Sequence, residues 1–155
     1  MKKAFAVLAL LAAPAFAGDD HDHHVTEVDG IRIQHVWTVA GADPAPVYLE
    51  IINDSDVELT LTGAESDWAE FALVGAWLSG GQSTAQGIDA LRIAPGARMH
   101  LEPGGVSLMA GPLSEPLTVG DHLDIHLHFN DLEIEAEAEV FPTGTKRHPH
   151  AGHDH

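Results

Sequence analysis

The stretch that decides the fold reads APGARMHLEPGGVSLMAGPL, from Ala94 to Leu113. Pro95-Gly96 and Pro103-Gly104-Gly105 punctuate it, because proline presets φ and glycine reaches positive φ without steric cost. Between them Met99 and Leu101 alternate with Arg98, His100 and Glu102, the period of two that marks a half-buried strand. Val106-Ser107-Leu108-Met109 begins a second strand, and Gly111-Pro112 closes it. The pattern predicts a strand pair in an all-β domain, with Met109 near a turn where a thioether can reach a soft metal. Filling the core or its rim is the commoner use of such a methionine.

Similar alternation runs outward on both sides. Ile31 to Val39 reads as a strand, with Ile31, Ile33 and Trp37 on one parity. His35 lies among them, and a lone imidazole in that setting reads as a core or edge residue rather than a ligand. Val47 to Ile52 and Val57 to Thr62 follow, separated by the turn residues Asn53-Asp54-Ser55-Asp56. Phe71 to Val74 and Ile88 to Ile93 flank a hairpin loop over Gly75 to Gly87, where Trp77 either covers the end of the domain or meets a partner.

The clearest strand is His122 to Phe129. Leu123, Ile125, Leu127 and Phe129 turn inward, so His122, Asp124, His126 and His128 turn outward. Asn130-Asp131 makes a tight turn, and Leu132, Ile134, Ala136, Ala138 and Val140 repeat the inward parity on the return. Such a hairpin sets His128 opposite Glu133 and His126 opposite Glu135, which gathers two imidazoles and two carboxylates on the solvent face. That square either chelates a divalent ion or forms a ladder of His–Glu pairs that keeps the face wet.

At 155 residues the chain makes one domain with a real core. Met1 to Ala17, MKKAFAVLALLAAPAFA, reads as a secretory signal with a basic start, an apolar run and a small-x-small cleavage site. The run is shorter than the ~20 residues a membrane span needs. The expectation is therefore a periplasmic protein with no membrane span in its mature form. The net charge of −17 leaves no basic patch for nucleic acid and favours cations. The absence of cysteine excludes a disulfide framework and a blue-copper site, which needs a thiolate.

Both ends carry histidine without apolar residues to pack, and are expected to be disordered. His21, His23 and His24 stand among Asp19, Asp20 and Asp22, and His148, His150, His153 and His155 close the chain. Imidazole with carboxylate suits Cu(II) or Zn(II), and must be neutral to ligate. The divisions are a signal peptide over 1–17, an arm over 18–30, a folded body over 31–141 and a tail over 142–155. No catalytic set is evident: Ser79, Ser83 and Ser107 have no His–Asp arrangement, and no glycine-rich loop opens a helix.

Pro-Gly, a short alternating strand, Leu-x-Pro-Gly-Gly, x-x-x-Met and a following Gly-x-Leu together resemble the periplasmic copper chaperones called PCu(A)C. The resemblance extends over Ile31-x-Ile33-x-x-x-Trp37, Tyr48-Leu49-x-Ile51-x-Asn53 and Gly120-Asp121. It implies a cupredoxin-like antiparallel β-sandwich of seven to nine strands. In that family Cu(I) is held by two His and two Met. The corresponding positions here fall on Ala72, near Ala85, on Ser107 and on Met109, so Met109 alone survives. The resemblance implies a binding protein rather than an enzyme, a copper metallochaperone that passes its ion to a protein acceptor such as a respiratory oxidase under assembly. The expected ligands are the terminal histidines, with Met109 and the His126/His128 square as further candidates. The alternatives are a periplasmic zinc or general divalent-metal buffer, and a metal-independent module that binds an assembly partner.

Overall fold

The structure, a computed structural model, describes residues 25–149 and Ala151. Eleven strands make it up: β1 (Val25–Val28), β2 (Ile31–Val39), β3 (Ala45–Asn53), β4 (Leu59–Glu65), β5 (Ala69–Ser79), β6 (Gln82–Gly87), β7 (Leu91–Ile93), β8 (Arg98–Leu101), β9 (Val106–Leu113), β10 (His122–Phe129) and β11 (Leu132–Phe141). The pairing runs β2-β11-β10-β4-β5-β9-β3 and closes through β2–β3, so seven strands form a ring that removes their edges. β1, β8, β7 and β6 are added on β2, β3, β4 and β5. All pairings are antiparallel except β11 with β2. The fold is the all-β, cupredoxin-like single domain expected from the sequence.

The core follows the inward parity of the strands. Ile33, Ile51, Leu61, Leu108, Ile125, Leu127, Phe129 and Ile134 are almost wholly shielded from water. The β10–β11 register sets Phe129 opposite Leu132, His128 opposite Glu133 and His126 opposite Glu135, as the tight-turn reading requires. Within β10 and β11 the burial alternates strand-long, so the polar positions stay on the outer face.

Four readings differ. The Ala94–Leu113 unit does contain two strands, but β8 and β9 pair with different parts of β3 rather than laddering with each other. In β2 the parity breaks at a bulge, where His35 takes φ 53° and the register with β3 shifts between Gln34 and Trp37. Val36 then takes the core-facing position, and Trp37 packs on the outer side against Tyr48 at 4.6 Å and Phe141 at 6.1 Å between ring centroids. Residues 75–87 are two paired strands around a Gly80-Gly81 turn rather than a loop, and Trp77 and Leu78 stand exposed on that hairpin. Finally, Val25 to Val28 form a strand within the stretch read as the arm.

Asn53 holds three segments at the end of β3. Its fully buried amide donates to Val57 O at 2.8 Å and Ile93 O at 3.1 Å, while its oxygen accepts from the Ser55 hydroxyl at 2.6 Å. Asn53→Ala removes the side-chain donor of Ile93 O and leaves Val57 O only the Ser55 hydroxyl at 3.2 Å, and a buried group that loses its partner costs about 1–3 kcal/mol. The expected outcome is a lower urea midpoint with an unchanged m-value in equilibrium unfolding.

Candidate metal centre

The outer face of β4, β10 and β11 carries the cluster. β10 lies between the other two, with His128 opposite Gly63 of β4 on one side and Glu133 of β11 on the other. Gly63 has no side chain to fill the space beside His128, and the position above it is open. Glu65, two residues on, reaches into that space: its Oε2 lies 3.7 Å from His128 Nε2. Glu133 Oε2 approaches the same nitrogen at 3.9 Å, and Glu133 Oε1 hydrogen-bonds His126 Nδ1 at 2.9 Å.

One oxygen from each of Glu65 and Glu133 and one nitrogen of His128 therefore lie within 4.8 Å of one another. His128 Nε2 is shielded from water yet makes no hydrogen bond. A nitrogen so placed between two carboxylates is positioned to ligate a metal ion. Ligand bonds to a zinc-like ion are about 2.0–2.2 Å, which sets tetrahedral donors roughly 3.4 Å apart. The His128–Glu65 pair, at 3.7 Å, is already close to that spacing. His126 orients Glu133 from behind, the second-layer contact that tunes a ligand carboxylate. His122 is engaged separately with Glu137 at 2.7 Å.

The sequence placed His126, His128 and Glu133 together. Glu135 does not join them through the contacts made here, and Glu65 was missed. Its only sequence signal is an acidic residue ending a strand, which does not say which strand lies beside it.

Met109 lies elsewhere, on β9 between Ala72 of β5 and Pro46 of β3. Ser107 Oγ donates to its sulfur at 3.7 Å. Ala72 and Met109 are thus direct cross-strand neighbours, while Ala85 sits on β6 opposite Ala76. The neighbours given by this register and hydrogen bond, Ala72, Pro46 and Ser107, offer no second sulfur or imidazole, and a single thioether does not make a Cu(I) site. His21, His23, His24, His150, His153 and His155 lie outside the described residues. His148 is described, and it is buried. The segment after β11 is tied down by Thr143 Oγ1, which donates to Ala40 O at 2.6 Å. The His148 ring then packs against Phe141 at 5.4 Å and His35 at 5.0 Å.

A second polar group sits on the outer face of β2, β3 and β8. Glu50 is buried and receives the Gln34 amide at 2.6 Å, with Arg98 at 2.9 Å, His35 Nδ1 at 3.5 Å and His100 Nε2 at 3.7 Å. Burial pushes its carboxyl up. The Gln34 hydrogen bond, the charges of His100 and Arg98 and the His35 contact outweigh that and hold it below the ordinary glutamate range.

The barrel and its outward-facing imidazole–carboxylate cluster define a small all-β domain with a candidate metal site on its outer face. The sequence match is to the family described as LpqE-like lipoproteins, over residues 28–140. The chain belongs to the LpqE-like family. A relative described as a lipoprotein, Lxx21020 of Leifsonia xyli subsp. xyli, is 25% identical over 108 residues, which cover 68% of this chain and 65% of that protein. Solved structures of PCuAC domains share the fold. The copper-bound PCuAC domain from PmoF2 is 25% identical with a TM-score of 0.64, covering 77% of this chain and 98% of that one. The Cu(I) form of DR1885 from Deinococcus radiodurans is 26% identical with a TM-score of 0.58, covering 77% and 82%. Among the described residues no helix is long and apolar enough to cross a membrane.

Because the folded carboxyl of Glu50 has a depressed pKa, its stabilising contribution is present above the ordinary glutamate value and is lost as pH falls through the lowered one. Glu50→Gln is expected to lower the urea midpoint at neutral pH and to flatten the acid limb of the stability curve. The two proteins should converge once the carboxylate of the parent is protonated.

Proposed function

We propose that this protein is a copper-binding metallochaperone of the cell envelope, which takes up copper as Cu(II) on imidazole and carboxylate and yields it to a protein acceptor. The observation that carries the reading is the convergence of His128, Glu65 and Glu133 on a barrel of the copper-chaperone fold. One nitrogen and two oxygens are hard to borderline donors, which favour Cu(II) over Cu(I). The family's other sulfur position falls near Ala85 and its two imidazole positions on Ala72 and Ser107, and the loss of that sulfur points the same way.

A sheet-face site with two exposed carboxylates and one shielded imidazole nitrogen binds with modest affinity and releases readily, as a handover requires. In this reading the terminal histidines His21, His23, His24, His150, His153 and His155 gather ions around the body, His148 being buried against Phe141 and His35 instead, and the acceptor is a partner such as a respiratory oxidase under assembly. The lipoprotein description of the family supports an envelope location, and the Met1–Ala17 leader directs export to the periplasm. The role is binding and transfer, with no catalytic step.

The same donor set serves zinc, which makes a periplasmic Zn(II) or divalent-metal buffer the second reading. Titrations of Cu(II), Cu(I) and Zn(II) into residues 18–155, into residues 25–149 and into the His128→Ala and Glu133→Gln variants separate them. Residues 25–149 are expected to retain one Cu(II) site, weakened about tenfold or more by either substitution. Zinc binding tighter than copper favours the buffer. Absence of metal uptake by 25–149 removes the cluster from the function.

A further inference from the structure

The cleft beside Glu50 has a charge distribution that the metal-binding role does not use. It is a cavity of about 770 Å³ between the outer face of β2, β3 and β8 and the C-terminal segment. Five basic side chains occur among the described residues: Arg32, Arg92, Arg98, Lys146 and Arg147. All but Arg92 line this cleft, in a chain whose net charge is −17. His35, His100 and His148 line it too.

Ion pairing offsets part of this, since Arg98 engages Glu50 and Arg32 engages Glu27 and Asp54, which leaves Lys146 and Arg147 as the surplus cations of the lining. Glu27, Glu50 and Glu102 are the acidic residues of the lining. Glu50 is already committed to Gln34, His35, Arg98 and His100, and Glu27 lies 3.8 Å from Arg32, which Asp54 also holds at 2.8 Å. Lys146 and Arg147 are exposed and make no ion pair among the described residues. Val25, Pro103 and Ala151 add exposed apolar surface to the lining.

We infer that this cleft binds a small organic polycarboxylate. The argument is independent of the metal reading. Cations come from two segments, Arg98 of the sheet, which gives Nη1 to Glu50 and keeps the rest of an exposed guanidinium, and Lys146-Arg147 of the C-terminal segment, so one ligand can engage both only if its negative groups are separated. Apolar lining suits the carbon skeleton that joins them. Pockets of roughly 300–1,000 Å³ accommodate molecules of this size, and guanidinium groups match carboxylates with paired hydrogen bonds. A carboxylate ligand in this cleft sits at the place where the field of an otherwise acidic molecule is least repulsive.

The test is calorimetric titration of citrate and succinate, with inorganic phosphate as comparison, into metal-free protein at low salt. The chain used is residues 18–155, alongside the Lys146→Ala/Arg147→Ala double variant. Both substituted side chains are exposed, and circular dichroism checks that the fold is retained. Citrate is expected to bind more tightly than succinate, and the double variant to lose about tenfold or more in citrate affinity. Arg92 lies outside the cleft, so the control variant Arg92→Ala should bind citrate as the parent does. Undetectable citrate binding overturns the inference. So does citrate binding that the double variant preserves, or phosphate binding as tight as that of citrate.

Discussion

In β10 and β11 every apolar side chain that the core takes obliges its neighbours to face water. Ile125, Leu127 and Phe129 are anchored inside the ring of strands, and a pleated strand has no freedom to turn His126 and His128 the same way. The outer cluster is thus a by-product of core packing, and its donors are carried on backbone that closure of the ring holds rigid. A one-residue slip in this hairpin would bury the imidazoles and expose the phenyl ring. Hydrophobic burial therefore fixes the geometry of a polar site that it never touches.

The opposite solution appears on β2, β3 and β8. There a carboxylate is itself buried, and partners on neighbouring strands compensate its lost hydration. The bulge at His35 is what admits the imidazole to this group, since a regular strand would have kept Val36 and His35 on the other parities. The same irregularity lays Trp37 on the outer surface, where Phe141 and the returning chain cover it. The aromatic contact continues through His148, so a residue in a polar, histidine-rich segment is buried for reasons that lie in the ring beneath it.

What the sequence revealed was mostly local. The alternation of His122 to Val140 gave strand, turn and register together, because two residues of period and a tight turn leave one pairing. The reading of Met109 as the one retained copper-ligand position came from the family resemblance and not from spacing. Contacts between distant segments were not legible: nothing in SDWAEF says that Glu65 lies beside β10, and nothing in RMHL says that β8 adds to β3 rather than to β9. The break at His35 escaped detection because an unbulged strand fits Ile31, Ile33 and Trp37 equally well. Strand β6, which reads QSTAQG, has no apolar alternation because neither of its faces is buried.

β6 is bonded to β5 on one side only, and its six residues are all exposed. Its far side presents free backbone amides and carbonyls to water in a molecule whose central strands are sealed in a ring. Such a margin is a template onto which an extended segment can zip through main-chain bonds, whatever its side chains. With small uncharged residues there and no lysine or proline to repel a visitor, this rim is open to strand addition, one of four edges among the described residues with β1, β7 and β8.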